Sequence, residues 1–160
     1  MKPNWLDARE DRAWSAFIHA HQQLEAHLSR RLQLSGLSGA DYEVLAVLSA
    51  LDGDRMPAHD LCKALGWEKS RLSHQVRRMQ TDGLIGRESN PKDARSTLVC
   101  LLPAGLAAVE KAAPRHVEDV RRNFIGLFTP AELDTLAILN ERVLRHLAIT
   151  HDSPADDEPS

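Results

Sequence analysis

Apolar residues in this chain recur mostly at intervals of three and four, the spacing that puts one greasy stripe along a helix. From Asp7 to Leu34 the stripe is Trp14, Phe17, Ile18, His21, Leu24, Leu28 and Leu32, with Arg and Gln between, which predicts a long amphipathic helix. Ser35-Gly36-Leu37-Ser38-Gly39 breaks it. Ser38 with Asp41 three residues on then supplies an N-cap and an acidic first turn for a second helix, Gly39 to Leu51, whose inward positions are Tyr42, Leu45, Leu48 and Leu51. Arg55 and Met56 form an extended link. Pro57 opens a short helix at its first position, where a missing N–H costs little, and Gly66 stops it after Leu61, Cys62 and Leu65.

A fourth helix is predicted from Glu68 to Asp82. Leu72, Val76 and Met79 form its inward edge, while Ser70, His74 and Arg77, flanked by Arg71, Ser73 and Arg78, lie on the other side. Leu84 to Ser89 and Thr97 to Leu102 are β-prone runs joined by Asn90-Pro91-Lys92-Asp93-Ala94-Arg95-Ser96, the turn chemistry of a hairpin with a long tip. Helix resumes at Pro103 or Ala104 and continues to Phe128, with Pro114 as a possible kink. Thr129-Pro130-Ala131-Glu132 reads as a capping box for a last helix carrying Leu133, Leu136, Leu139, Val143 and Leu147. The segment 151–160 is acidic and lacks large apolar residues, so disorder is expected.

Composition narrows the class. At 160 residues and 42% hydrophobic content the chain has material for one core of ordinary size without staples. Two cysteines, Cys62 and Cys100, are too few for a secreted disulfide framework. With no apolar leader at Met1 to Glu10 and no run approaching the ~18 residues of a membrane span, a soluble cytoplasmic protein is expected, with no membrane partner. The net charge of -3 argues against a polyanion partner until it is counted by segment. Residues 55–95 hold nine Lys or Arg against five Asp or Glu, whereas residues 1–54 hold five against eight. Positive charge is thus gathered where the fourth helix and hairpin lie.

A helix of about 14 residues is roughly 21 Å long, and its width suits a DNA major groove about 12 Å across. Between Glu68 and Asp82 that helix bears no carboxylate. Lys69, Ser70, Arg71, Ser73, His74, Arg77 and Arg78 are therefore candidates for contact with double-stranded DNA, with Arg71 and Arg77 suited to bidentate pairing with guanine O6 and N7. At the wing, Arg95 suits a narrow minor groove, and Lys92 and Arg87 suit phosphates. Asp93 is poorly placed to face phosphate and is expected to hold Arg95 or another Arg, keeping the tip in shape. A solvated helix face and an exposed strand residue would carry the same charges.

The order helix, helix, short helix, basic helix, hairpin, long helix, long helix describes a winged helix-turn-helix with flanking helices: a mainly α fold with a two-stranded β-wing. The residues themselves resemble the MarR (multiple antibiotic resistance) transcriptional regulators. Leu65 to Ser73 matches the family's Leu-Gly-x-x-x-Ser-x-Leu-Ser entry to the basic helix, and Asp82 to Ile85 matches its Asp-Gly-Leu-Ile exit. Asp93 and Arg95 match the wing's Asp-x-Arg, and Leu101 to Gly105 the Leu-x-x-x-Gly that opens the next helix. Pro57 and Pro103 depart from the family's usual Ser or Thr and Thr, while remaining compatible with helix starts. The resulting division is 1–37, an N-terminal helix within a dimerisation region; 38–103, the DNA-binding domain; 104–150, C-terminal dimerisation helices; and 151–160, the tail.

One such helix reads only a half-site, so a two-fold homodimer on a pseudo-palindrome is expected. Trp5, Leu6 and Trp14 at the front, with Phe124, Leu127, Phe128, Val143, Leu144, Leu147 and Ile149 at the back, exceed what a small winged domain needs for its own covering. The resemblance further implies a transcriptional repressor released by a small aromatic or phenolic acid held where the dimer helices meet the DNA-binding domain. It implicates Phe17, His21 and Tyr42 in that contact. Two alternatives are a helical protein-interaction module on the same fold and a cysteine-based redox sensor. The peroxide-sensing branch carries its cysteine near the start of the first long helix, where this chain has none. No catalytic, metal or cofactor pattern is present: His19 and His21 lie about 200° apart around a helix, and no phosphate loop or nucleophile elbow occurs. An enzyme is not expected.

Overall fold

A computed structural model describes residues 5–151. Local chemistry starts its long helices. Asp7 caps α1 (Ala8–Gln33) by accepting from Arg9 N at 2.7 Å and Glu10 N at 2.9 Å, while Glu10 returns a carboxylate to Asp7 N. Ser38 and Asp41 form the same reciprocal box at the head of α2 (Gly39–Ser49), at 2.9 and 3.0 Å. Thr129 and Glu132 repeat it before α6 (Pro130–His151).

Between them run β1 (Arg55–Pro57), α3 (Ala58–Leu65), α4 (Lys69–Thr81), β2 (Ile85–Ser89), β3 (Thr97–Leu101), α5 (Pro103–Asn123) and a 3₁₀ turn, Ile125–Leu127. α5 continues through Pro114.

The antiparallel sheet has the order β1-β3-β2, so the wing expected as two strands carries a third. Arg55 pairs with Cys100, Met56 with Val99 and Pro57 with Leu98. Three residues are too few to show a period. They become a strand because β3 offers an open edge beside them, and Pro57 sits at the end of this edge strand, where proline's missing donor is tolerated. Pro57 is accordingly the cap of α3, without a side-chain capping bond, rather than its first helical residue.

The chain divides into two compact units, Met1–Val120 and Arg121–Ser160. The core of the first joins Val44, Leu45 and Leu48 of α2 to Leu61 of α3, Leu72, Val76 and Met79 of α4, Ile85 and Val99 of the sheet, and Val109 and Ala112 of α5. Removing such side chains exacts both a transfer and a cavity cost, about 2–5 kcal/mol for Leu to Ala. Much of the α1 stripe lies outside this core: Leu32 is buried, but Trp14 is 58% and Phe17 54% exposed. In the second unit, Leu127, Ile138, Leu139, Val143 and Leu144 are likewise exposed. The expected acidic tail lies outside the described residues from position 152 onward, as does the Ile149 side chain.

Candidate nucleic-acid interface

The turn between α3 and α4 is set by Gly66 in the left-handed conformation at φ 66°, which lets Gly66 N donate to Lys63 O and Trp67 N to Cys62 O at 3.0 Å. Trp67 is thereby buried at the head of α4. The Arg71 guanidinium lies over its ring, 4.1 Å from the centroid. This stacking restrains a long cation before any ligand arrives, through attraction to the ring's negative face.

α4 buries Leu72, Gln75, Val76 and Met79 and exposes Lys69, Ser70, Arg71, His74, Arg77 and Arg78, with Ser73 half-buried at the boundary. Its 13 residues present a rod of about 20 Å. Gln75, unexpected inside, donates to the buried carboxylate of Asp41, and Arg78 Nη2 stands 3.9 Å from the same group. One carboxylate therefore caps α2 and ties it to α4. Replacing Asp41 with alanine removes half of the capping box and strands the Gln75 amide. A loss of about 2–4 kcal/mol is expected in urea unfolding at fixed protein concentration, with Asp41→Asn milder.

Lys92, Asp93 and Arg95 at the wing tip and Arg87 in the middle of β2 are all exposed. Asp93 bonds to the backbone of the turn: its Oδ1 accepts from Arg95 N at 3.0 Å, and its carbonyl from Ser96 N at 3.0 Å. Asn90 supplies a second brace, accepting from Lys92 N and donating to Ser96 Oγ at 2.7 Å. The tip is thus stiffened without engaging the Arg95 guanidinium in the bond that Asp93 makes. Arg55 on β1 pairs with Glu88 of β2 at 3.0 Å.

Beneath α1 and α2 opens a cleft of about 480 Å³, with His21, Leu24, Glu25, Leu28 and Leu32 from α1, Tyr42, Glu43, Ala46 and Val47 from α2, and Leu65 and His116 among its walls. His21 and Tyr42 thus meet there, whereas Phe17 does not line it. Glu25, Glu43 and His116 were not singled out from sequence. Helical spacing places His21 and Glu25 together, four residues apart with Nε2 and Oε2 separated by 3.7 Å, but His116 arrives from a helix remote in the chain. Its ring packs on Tyr42 with centroids 4.3 Å apart, and its Nδ1 is buried without a hydrogen-bond partner among the described residues.

Burial lowers the His116 imidazole pKa, with Asp119 opposing, and raises that of the Tyr42 hydroxyl. Partial desolvation also raises the Glu43 carboxyl, helped by Glu25 and opposed by Arg71 and His21. The folded state therefore disfavours protonated His116. Its contribution to stability is complete above the unfolded value of 6.5 and is lost as pH falls through the lowered folded value. His116→Gln is expected to flatten this part of the profile of unfolding free energy between pH 7.5 and 5, measured by denaturant titration.

The cysteines are a half-buried Cys62 and a buried Cys100. Burial, then the Glu88 charge, raises the Cys100 thiol, lowering its reactive thiolate fraction. No group of His, Cys, Asp and Glu suited to a metal occurs among the described residues, nor any helix long and apolar enough to cross a membrane.

Known proteins share this arrangement. The MarR family model matches residues 35–96. The crystal structure of AbsC, a MarR family transcriptional regulator from Streptomyces coelicolor, superposes with a TM-score of 0.86 at 39% identity, covering 91% of this chain and 99% of that one. Sco3205, a MarR family regulator from the same organism solved in complex with DNA, gives 0.86 at 31% identity over 99% and 97%. The multiple antibiotic resistance protein MarR of Salmonella typhimurium is 32% identical over 85 residues, 53% of this chain and 59% of that protein. With its helix-turn-helix, its wing and this breadth of similarity, the chain belongs to the MarR family of DNA-binding transcriptional regulators and is not an enzyme.

Proposed function

We propose that this regulator is a cytoplasmic homodimer that represses transcription by occupying a pseudo-palindromic operator and leaves it when a small, aromatic-bodied ligand fills the cleft beneath α1 and α2. The observation that carries the DNA reading is the carboxylate-free, cation-bearing outer face of α4, beside a wing whose tip is braced by the Asp93 and Asn90 side chains. Arg71 and Arg77 read guanine edges, with Ser70, Ser73 and His74 at the groove wall and Lys69 and Arg78 near the backbone. Arg95 enters the minor groove, while Arg87 and Lys92 meet phosphates. The exposed apolar side chains of α1 and of the second unit supply the dimer contact: large apolar surface left in water marks an association face.

The test is salt dependence of binding to a sequence selected from random duplex DNA. A dimer neutralising 6–10 phosphates loses roughly 10³–10⁵ in affinity between 50 and 200 mM salt. A flat response, or a sedimenting monomer that still selects a two-fold site, would refute the proposal. Binding insensitive to Arg77→Ala and Arg95→Ala would instead favour a protein partner.

A further inference from the structure

We propose that the cleft takes an organic cation, an apolar ring or chain ending in an amine, rather than a carboxylic acid. This rests on reading the cleft as the effector site and names the chemistry of its occupant. At about 480 Å³ the cleft is large enough for a small ring compound. Its body is apolar, with Leu24, Leu28, Val47 and Leu65 among the walls, so a hydrocarbon portion is accommodated. Among the described residues its charged lining consists of two carboxylates, Glu25 from α1 and Glu43 from α2, with no Lys or Arg.

The neighbouring cations do not reverse this sign. His21 stands 3.7 Å from Glu25 but bears charge only when protonated. Arg31 is hydrogen-bonded to Asp119 at 3.0 Å, and with Arg115 it lines an adjoining small crevice that meets the cleft at Leu32 and His116, so its charge is already engaged by a carboxylate outside the cleft. Arg71 acts on Glu43 from α4 while stacked on Trp67. Even so, desolvation outweighs Arg71 and His21 at Glu43, whose carboxyl is shifted towards its neutral form. A bound ammonium group supplies the compensation that Glu43 lacks, whereas a bound carboxylate adds a third like charge. The Tyr42 and His116 rings, 4.3 Å apart, offer an aromatic wall to the same occupant. Glu43 also feels Arg71 on the DNA-facing helix, so a cation held there changes the field at that helix.

The full-length protein without DNA is titrated calorimetrically at pH 7.5 with three probes of one body: 2-phenylethylamine, 2-phenylethanol and 3-phenylpropanoate. The amine is expected to bind roughly tenfold tighter than the alcohol, and the carboxylate weakest. Glu43→Gln, and separately Glu25→Gln, should move the amine towards the alcohol, with the alcohol changed far less than the amine, and retained alcohol binding shows that the cleft is intact. Ala46→Leu, which narrows the cleft, should weaken amine and alcohol alike. A carboxylate that binds as tightly as the amine overturns the cation assignment and leaves the effector site standing. Amine binding that ignores Ala46→Leu, or both Gln variants, overturns the assignment as well. Absence of binding by all three probes at millimolar concentration overturns the effector site along with it.

Discussion

Gly105→Ala is expected to lower the unfolding free energy by about 3 kcal/mol, at the upper end of ordinary overpacking. Gly105 is buried in the first turn of α5, where a Cβ would run into the Leu84 carbonyl oxygen and stand 2.9 Å from Leu101 Cδ1 and 3.0 Å from Leu45 Cδ2. The leucine methyls can rotate; the backbone oxygen cannot. That oxygen accepts from Leu102 N at 3.1 Å, so displacing it opens the junction of sheet and helix. Alanine's helix propensity returns only about 1 kcal/mol, too little to offset the clash. Gly86→Ala is the control: its Cβ would meet Leu102 Cδ2 at 3.5 Å, an ordinary contact. Urea unfolding at one fixed protein concentration compares the two, because association adds to apparent stability. Equal midpoints would show that the close approach does not constrain the fold.

Removing Arg71, Arg77 and Arg95 together is expected to weaken operator binding by about 10³-fold or more. Each bidentate or groove contact is worth roughly 1–3 kcal/mol, and contacts that share no partner and lie about 7–10 Å or more apart add approximately. The side chains are exposed, so the fold should survive, apart from roughly 0.5–1 kcal/mol for the Arg71 stack on Trp67. Fluorescence anisotropy with the selected duplex and a scrambled one separates two roles. Arg77→Ala should narrow the gap between the duplexes. Lys92→Ala should weaken both equally and reduce the salt slope by about 1. Arg55→Ala serves as a control, since that cation is engaged by Glu88 at 3.0 Å. A triple variant that binds as the parent does would remove α4 and the wing from the interface.

The units of this fold were legible where the deciding interaction is short-range. Ser38 with Asp41 and Thr129 with Glu132 close hydrogen-bonded boxes over three residues, so letters alone mark the starts of α2 and α6. The inward edge of α4 and the cations opposite it follow from 3.6 residues per turn. By the same rule Gln75, three residues from Leu72, belonged to the inner face; its polarity concealed this, and the Asp41 carboxylate that accepts its proton comes from another helix. The Asp93 carboxylate accepts from the Arg95 backbone N–H, a partner that sequence alone does not single out, because side chain and backbone of Arg95 are equally near in sequence.

Composition, caps and periodicity were therefore enough to mark which segments are helix or hairpin and where positive charge gathers, while the family resemblance rested on the residue motifs at Leu65–Ser73, Asp82–Ile85, Asp93 with Arg95, and Leu101–Gly105. None of these could determine that Arg55–Pro57 joins the sheet, that Trp67 holds Arg71, that Phe17 lies outside the cleft, or that Glu25, Glu43 and His116 share it. Caps and helical faces depend on atoms a few bonds or one turn apart. Strand addition, ring stacking and the sign of a cavity depend on segments up to about a hundred residues apart, brought together only when the core closes.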